Sequence, residues 1–422
     1  CIRDRSTGRL EKASTMKQWP PNDWNDVTWK VEDWAYFAEG GANVILRYIG
    51  LPVWPFVYNG ASLVLRLRKH VFDLPTSPTV LHQDEFLNQV IAQLLPHKYL
   101  PQLQRVCIGS LKFQHEFLQQ LAQRCEKARP TKRRVLGTID VKAPWVWVMP
   151  DWSRSPTTRV VVEFKPKCGF LPRGPTKYPC KLQYSRYKIH RVYKLLHGKA
   201  SAPDTGAGSL QDFPNWYDPL DLFSGETIRI ERAAHALCKE WANGTGHLRV
   251  YIDGVRRKAD DECVKEALGS QSDFVNTLAQ NLTSCLLSPA SQALLTALVE
   301  QQQRLDPLNI ECLADMWEKY TGVSLDSRRT NTLSEPTLED YKSAAIRPIP
   351  THLETTDKWQ HILRAYMLSA TLNDASCFFA LGPHESLTAR LVDLDVKPIK
   401  KLLQYMRHDR QAALTFIHWL SK

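Results

Sequence analysis

No stretch of the 422-residue chain comes near the roughly 18 consecutive apolar residues of a membrane-crossing helix, so a helical membrane protein is excluded. The leading residues Cys1-Ile-Arg-Asp-Arg5 carry no hydrophobic signal segment, and an intracellular protein of the nucleus or cytoplasm is expected. Ten cysteines run from Cys1 to Cys377, yet no two form a Cys-x-x-Cys pair and no Cys/His set has zinc spacing. A disulfide framework and a structural zinc are therefore not expected; reduced, mostly buried thiols are. Internal repeats and low-complexity tracts are also missing.

What is present is apolar mass and positive charge. A hydrophobic share of 43% with 13 tryptophans supplies ample core and argues against disorder for most of the chain. The length suits two lobes or one heavily elaborated domain. A formal charge of +11 calls for an anionic partner, which the charge alone leaves open among nucleic acid, membrane headgroups and a polyphosphate. Nucleic-acid binders carry dense basic stripes with interleaved aromatics. Here basic residues concentrate only at Lys127 to Arg134 and Lys181 to Lys194, which disfavours nucleic acid.

Along the chain, residues 1–23 read as a flexible leader with a break at Pro20-Pro21, 24–150 as an N-terminal lobe and 151–422 as a C-terminal lobe. Strands are expected at Ala42 to Ile49 and Ala61 to Arg68, where Leu63, Leu65 and Leu67 alternate with Val64, Arg66 and Arg68. Apolar spacing predicts helices over Gln83 to Leu95 and Phe113 to Lys127, then a buried strand within Ala143 to Trp152. A basic helix follows near Leu182 to Leu196, and Gly198 to Asn215 reads as a loop. Helices dominate Thr227 to Tyr320, and Asp326 to Pro350 reads as a second loop. A helix over Asp357 to Leu368, strands at Cys377 to Leu381 and Ala389 to Val396, and a closing helix complete the pattern. The fold class is α+β, with a small antiparallel-sheet lobe and a larger, mixed, helix-rich one.

The densest chemical signal is Val160-Val-Val-Glu-Phe-Lys-Pro-Lys-Cys-Gly-Phe-Leu-Pro172. Period two puts Glu163, Lys165 and Lys167 on one face, and Pro166 keeps Lys165 extended. Two ammonium groups beside a carboxylate suit phosphate, although a solvated edge strand would present the same charges. In Ala38-Glu-Gly-Gly-Ala-Asn43, Gly40 and Gly41 let backbone approach phosphate oxygens; the same pair also makes an ordinary hairpin turn. In Leu391-Val-Asp-Leu-Asp-Val-Lys397, Asp393, Asp395 and Lys397 share a strand face if the strand persists. A carboxylate and a lysine at one strand end could hold magnesium and a phosphate, and a surface Asp–Lys ladder would look the same.

Glu-Phe-Lys-Pro-Lys-Cys-Gly-Phe-Leu-Pro resembles the signature of the inositol-pentakisphosphate 2-kinases, which make inositol hexakisphosphate from ATP. Matching blocks occur in family order from about residue 34 to 405. The resemblance implies a two-lobed, kinase-like fold, a monomer, and ATP and Mg2+ as requirements. Its substrate would be inositol 1,3,4,5,6-pentakisphosphate, carrying roughly −7 to −10 at about −1.5 to −2 per phosphate.

Residue by residue, it implies a nucleotide loop at Gly40, Gly41, Ala42 and Asn43, with Ala38 in place of a first glycine. Arg66 would reach nucleotide phosphates, Asp151 in Met149-Pro-Asp-Trp152 would lie beside the ribose, and Glu163 would belong to the nucleotide side. Lys165 would contact the transferring phosphate. Arg129 in Ala-Arg-Pro130, Lys167, Lys188, Lys397, Lys401 and Tyr405 would hold substrate, with Lys401 standing for an arginine. Asp374 in Asn373-Asp-Ala-Ser376 would be the base and Asp393 the metal ligand. Tyr217-Asp-Pro-Leu-Asp-Leu-Phe-Ser-Gly225 matches a segment whose physical content is a turn and a helix cap. Gly246-His247 replaces a family Asn pair, which removes two amide contacts to substrate. Open alternatives are a kinase of other regiochemistry and a non-catalytic polyphosphate or nucleic-acid binder on the same fold.

Overall fold

Leu63, Leu65 and Leu67 are all buried, and they stand on the central strand of the first of two sheets in the computed structural model. The structure describes residues 24, 27–58, 61–70, 82–173, 176–197, 209–269, 273–325, 333–350, 356–382 and 389–422. The 1–23 leader therefore lies outside the described residues. The chain divides into two compact units, one of residues 1–74 and 103–151, the other of 75–102 and 152–422.

In the first unit, β1 (Trp34–Glu39), β2 (Asn43–Tyr48), β3 (Val57–Tyr58), β4 (Ala61–His70), β5 (Gln104–Val106), β6 (Thr138–Ile139) and β7 (Val146–Pro150) form one antiparallel sheet. Its main path runs β1-β2-β4-β7-β5, with β3 and β6 pairing β4. Trp29, Trp34, Tyr48 and Phe56 stack or meet edge-on over one face. The helix Leu111–Glu126, capped by Ser110 accepting from the Phe113 N–H, adds Phe117, Leu118 and Leu121 to that core. Three of the 13 tryptophans, Trp24, Trp29 and Trp34, belong to this core.

The second unit is built on β8 (Val160–Phe164), β9 (Arg249–Ile252), β10 (Val255–Arg257), β11 (Ser376–Leu381) and β12 (Arg390–Val392), in antiparallel order β10-β9-β8-β11-β12. All five residues of β8, at the sheet centre, are buried, the charged Glu163 among them. Antiparallel sheets with many helices make the class α+β. Among the described residues no single helix is long and apolar enough to cross a membrane, and nine cysteines are free, six of them buried.

Several boundaries move. The expected helix over Gln83 to Leu95 breaks into a helix Gln83–Gln89 and a 3-10 turn Ile91–Gln93. This segment, read as part of the N-terminal lobe, belongs to the second unit, where Phe86 meets Tyr341 and Tyr99 donates to the Ala290 carbonyl. The supposed loop Asp326 to Pro350 contains the helix Leu338–Ile346, closed by a Thr337/Asp340 capping box. β9 and β10 interrupt the helical stretch. The last strand stops at Val392 rather than Val396, because Asp393 adopts φ +59°. Of the loop expected over Gly198 to Asn215, 198–208 lie outside the described residues and Leu210–Asn215 is a 3-10 turn.

The closing helix Leu402–Leu420 packs on the helix Arg186–Leu196 through a buried carboxylate. Asp409 accepts from Lys181, lies 3.5 Å from Arg186 and 3.4 Å from His190 Nε2, while Lys181 also reaches Glu311 at 2.6 Å. Burial works against Asp409's charge, but His190, Arg186 and Lys181 hold its carboxyl well below the usual range. Asp409→Ala should therefore lower the unfolding free energy by about 3–5 kcal/mol, since it strands buried cations; urea unfolding at pH 7 checks this. Burial also pushes His190 down to about 4 and His247 to about 3 from 6.5. Unfolded histidines take up protons that these refuse, so stability should fall as pH drops from about 6.5 toward 4, measured by the same titration across pH.

Candidate active site

Register gathers the chemistry at one end of three adjacent strands. Phe164 pairs with Cys377, and Ser376 pairs with Val392. Lys165 and Asp393 therefore leave their strands side by side, with Asp374 just ahead of the strand between them, at the end of the helix Thr356–Asp374. Lys165 Nζ donates to Asp374 Oδ1 (3.0 Å) and to its carbonyl (2.8 Å), and lies 3.4 Å from Asp393 Oδ2. Lys397 donates to Asp374 Oδ2 at 2.7 Å, and Lys167 Nζ stands 3.5 Å from Oδ1. One carboxylate thus gathers three ammonium groups.

The pair of lysines meets at Asp374 although the shared strand face does not persist. β8 ends at Phe164, and Lys167 takes φ +67°, a left-handed backbone that costs a non-glycine residue about 1–2 kcal/mol. Glu163 is engaged elsewhere: Arg249 donates to both its oxygens (2.9 and 3.0 Å) and Tyr251 to one (2.8 Å). Likewise Asp393, at φ +59°, ends the period-two face expected to join Asp393, Asp395 and Lys397.

Charge sets the protonation states. Burial works against the Asp374 carboxylate, but Lys167, Lys397 and Lys165 outweigh it and hold the pKa far below normal. For Lys165 burial is outweighed by Asp393 and Asp374, which keep its pKa above the ordinary lysine value. Lys167 is the reverse: burial and the neighbouring Lys165 and Lys194 pull it down to about 8 against Asp374. Burial and Lys397 lower Lys401, while burial and Asp374 raise Tyr405.

Lys194 is the residue the sequence reading missed. Its side chain is exposed; Asp374 opposes the lowering of its pKa by desolvation and its charge in turn depresses Lys167, which places it in the electrostatic surroundings of the site. Lys188, the position chosen from the motif, is instead buried, 3.5 Å from Asp218 and over the Phe213 ring. Helical spacing puts Arg186, His190 and Lys194 on one face at steps of four, the first two of them engaged with Asp409. His247, replacing an expected amide, is a backbone partner, with Nε2 2.6 Å from the Lys165 carbonyl. Asp218 caps the helix Pro219–Leu222, as the turn motif implied.

In the first unit, Gly40, Gly41 and Ala42 link β1 to β2, and the Gly40 N–H donates to the Asn43 carbonyl at 2.9 Å. Both glycines are exposed and a Cβ on either would meet nothing within 4 Å, so the loop's backbone is open to a ligand. With its amide oxygen turned toward the donors, Asn43 accepts from Arg66 at 2.7 Å. Lys69 braces the loop by donating to the Gly40 carbonyl at 2.9 Å. Arg129, expected to clamp substrate, has a wholly buried guanidinium bonded to Glu39, Glu126 and the Gly137 carbonyl. A phosphate would have to displace a carboxylate there. Asp151 accepts from the Arg47 Nε at 2.6 Å, both of them buried.

Among the described residues no three His, Cys, Asp or Glu side chains cluster as a metal cage. A magnesium ion does not need one, since it keeps waters and completes its shell from phosphates around one or two carboxylates. Asp393 fits that use. Its side chain is 52% exposed, beside Lys165 and within 3.4 Å of the Ser376 hydroxyl.

A carboxylate ringed by ammonium groups, with a second exposed carboxylate next to it, has groups for the tasks of phosphoryl transfer: holding phosphates, a metal ion and a hydroxyl. The family model described as inositol-pentakisphosphate 2-kinase matches residues 36–411, and the chain belongs to that family. A Cryptococcus neoformans inositol-pentakisphosphate 2-kinase is 26% identical over 420 residues, covering 92% of this chain and 93% of that protein. The rice (Oryza sativa subsp. indica) enzyme of that name is 25% identical over 445 residues, covering 90% and 92%. The Danio rerio enzyme is 27% identical over 268 residues, or 59% of this chain and 48% of the fish protein.

Because Lys167 titrates near 8, it loses charge as pH rises through that value. Affinity for inositol polyphosphate, measured by calorimetry, should weaken above about pH 8 in the wild type. Lys167→Arg, which stays charged, should remove that inflection.

Proposed function

We propose that the chain transfers the γ-phosphate of ATP to the axial 2-hydroxyl of inositol 1,3,4,5,6-pentakisphosphate, giving inositol hexakisphosphate. The observation that carries this reading is Asp374 held among Lys165, Lys167 and Lys397. In the free protein those lysines suppress its basicity. Substrate phosphates would draw Lys167 and Lys397 onto themselves and release Asp374 to accept a hydrogen bond, then a proton, from the hydroxyl. Lys165 would follow the transferring phosphate and offset its charge in the transition state. Lys194, Lys401 and Tyr405 would hold further ring phosphates.

The two units would play the lobes of a kinase-like fold. The first would offer the Gly40–Asn43 loop and Arg66 to the nucleotide. The second would offer the inositol phosphate side. Magnesium held by Asp393 would supply charge neutralisation on the phosphate oxygens. Asp151, Glu163 and Arg129 act in this account as internal ion-pair anchors, since each is bonded within its own unit. Free, mostly buried cysteines accord with work in a reducing compartment, nucleus or cytoplasm.

The test is incubation with ATP, magnesium and the pentakisphosphate, with product position read by NMR. Hexakisphosphate should form, and Asp374→Asn should lower kcat by about 10²–10⁴-fold while still binding the pentakisphosphate. Phosphate on any other ring position would indicate another regiochemistry. Tight binding without turnover in the wild type would leave a polyphosphate binder.

A further inference from the structure

The backbone that carries the two catalytic-site lysines is held from outside the sheet. β8 stops pairing at Phe164, and Pro166 has no N–H to offer a neighbour. The next three carbonyls nevertheless each receive a side-chain donor. His247 Nε2 donates to Lys165 O at 2.6 Å, Tyr217 Oη to Pro166 O at 2.8 Å, and Gln302 Nε2 to Lys167 O at 3.0 Å. A carbonyl can only accept, so Nε2 carries the His247 proton and Nδ1 faces the Tyr187 hydroxyl at 3.3 Å.

Gln302 does more than the others. It is fully buried on the helix Pro289–Leu305, and its Oε1 also accepts from the Gly169 N–H at 3.1 Å. One amide therefore clips the peptide groups on both sides of Cys168, directly after the left-handed Lys167, and keeps that turn in place. Its own backbone carbonyl accepts from the Ser369 hydroxyl at 3.1 Å, and Ser369 Oγ accepts from Asn373 Nδ2 at 3.3 Å. Asn373 is the neighbour of Asp374. The lysine and the carboxylate it faces are thus both referred to one residue.

We propose that Gln302 is a positioning residue for phosphoryl transfer. It registers the Lys165–Lys167 segment against the helix end that bears Asp374. The inference rests on the phosphotransfer reading above and adds to it a residue that touches neither substrate nor metal. Misplacing a phosphate-holding ammonium by about 1 Å is enough to cost about a hundredfold in rate.

The experiment compares wild type, Gln302→Leu, Gln302→Glu and Ser369→Ala, with rates referred to the folded fraction from circular dichroism. Gln302→Leu should lower kcat/KM for the pentakisphosphate about a hundredfold and leave the KM for ATP within about twofold. In Gln302→Glu a protonated carboxyl can still donate to Lys167 O and accept from Gly169. Its activity relative to wild type should therefore recover as pH falls. Ser369→Ala, which removes only the link to the Asp374 helix, should show a smaller loss of the same kind.

Wild-type kinetics per folded molecule in both Gln302 variants, with only a lower Tm, would overturn the proposal and leave Gln302 a packing residue. If Gln302→Leu fails to fold, the acid-dependent recovery in Gln302→Glu and the loss in Ser369→Ala still decide. Calorimetric affinity for the pentakisphosphate is measured on every form. A wild type that binds without turnover would refute the kinase reading, while about tenfold weaker binding in the Gln302 variants would still support the clamp.

Discussion

Like charges do not gather without a counter-ion. Two unit charges about 4 Å apart repel by about 4 kcal/mol at an effective dielectric near 20, and the second unit brings Lys165, Lys167 and Lys397 onto one carboxylate. Asp374 makes that packing affordable, and the surrounding structure is arranged to deliver it. The register of β8, β11 and β12 sets the strand ends, and the helix Thr356–Asp374 terminates where its last side chain completes the cluster. The same carboxylate is then the electrostatic glue of the resting site and, in the proposed reaction, its base.

Much of this was legible as residue types in order. The Lys-Pro-Lys segment, Asp374, Asp393 and Lys397 all come together. What could not be read was the backbone that brings them. A period-two argument assumes that a strand continues, but β8 ends at Phe164, ahead of the left-handed Lys167, and β12 ends at Val392, just before the left-handed Asp393. Glu163 followed the same assumption and is instead claimed by Arg249 and Tyr251 on the neighbouring strand.

The partners of the basic residues pose a different problem. Lys188 and Lys194 lie on one helix, the first buried beside Asp218 and the second exposed. Arg129 shows a limit that no local pattern removes. Its partner Glu39 lies 90 residues away, and only the folded sheet reveals that the guanidinium is already occupied. The helix Leu338–Ile346 was within reach of a closer reading, since Thr337 and Asp340 form a capping box in an otherwise polar stretch. Segment 75–102 joins the second unit through packing at Phe86 and Tyr99, contacts that carry no sequence mark.

A base muted by its own phosphate-binding groups has a counting property. In the proposed reaction each lysine would leave Asp374 only when a ligand phosphate offered it a better partner, so a sparsely phosphorylated ring would bind yet leave the carboxylate locked. Discrimination would then reside in the chemical step rather than in binding. The molecule would tally phosphates through kcat, in the way a combination lock tolerates any hand but opens only when every tumbler is lifted.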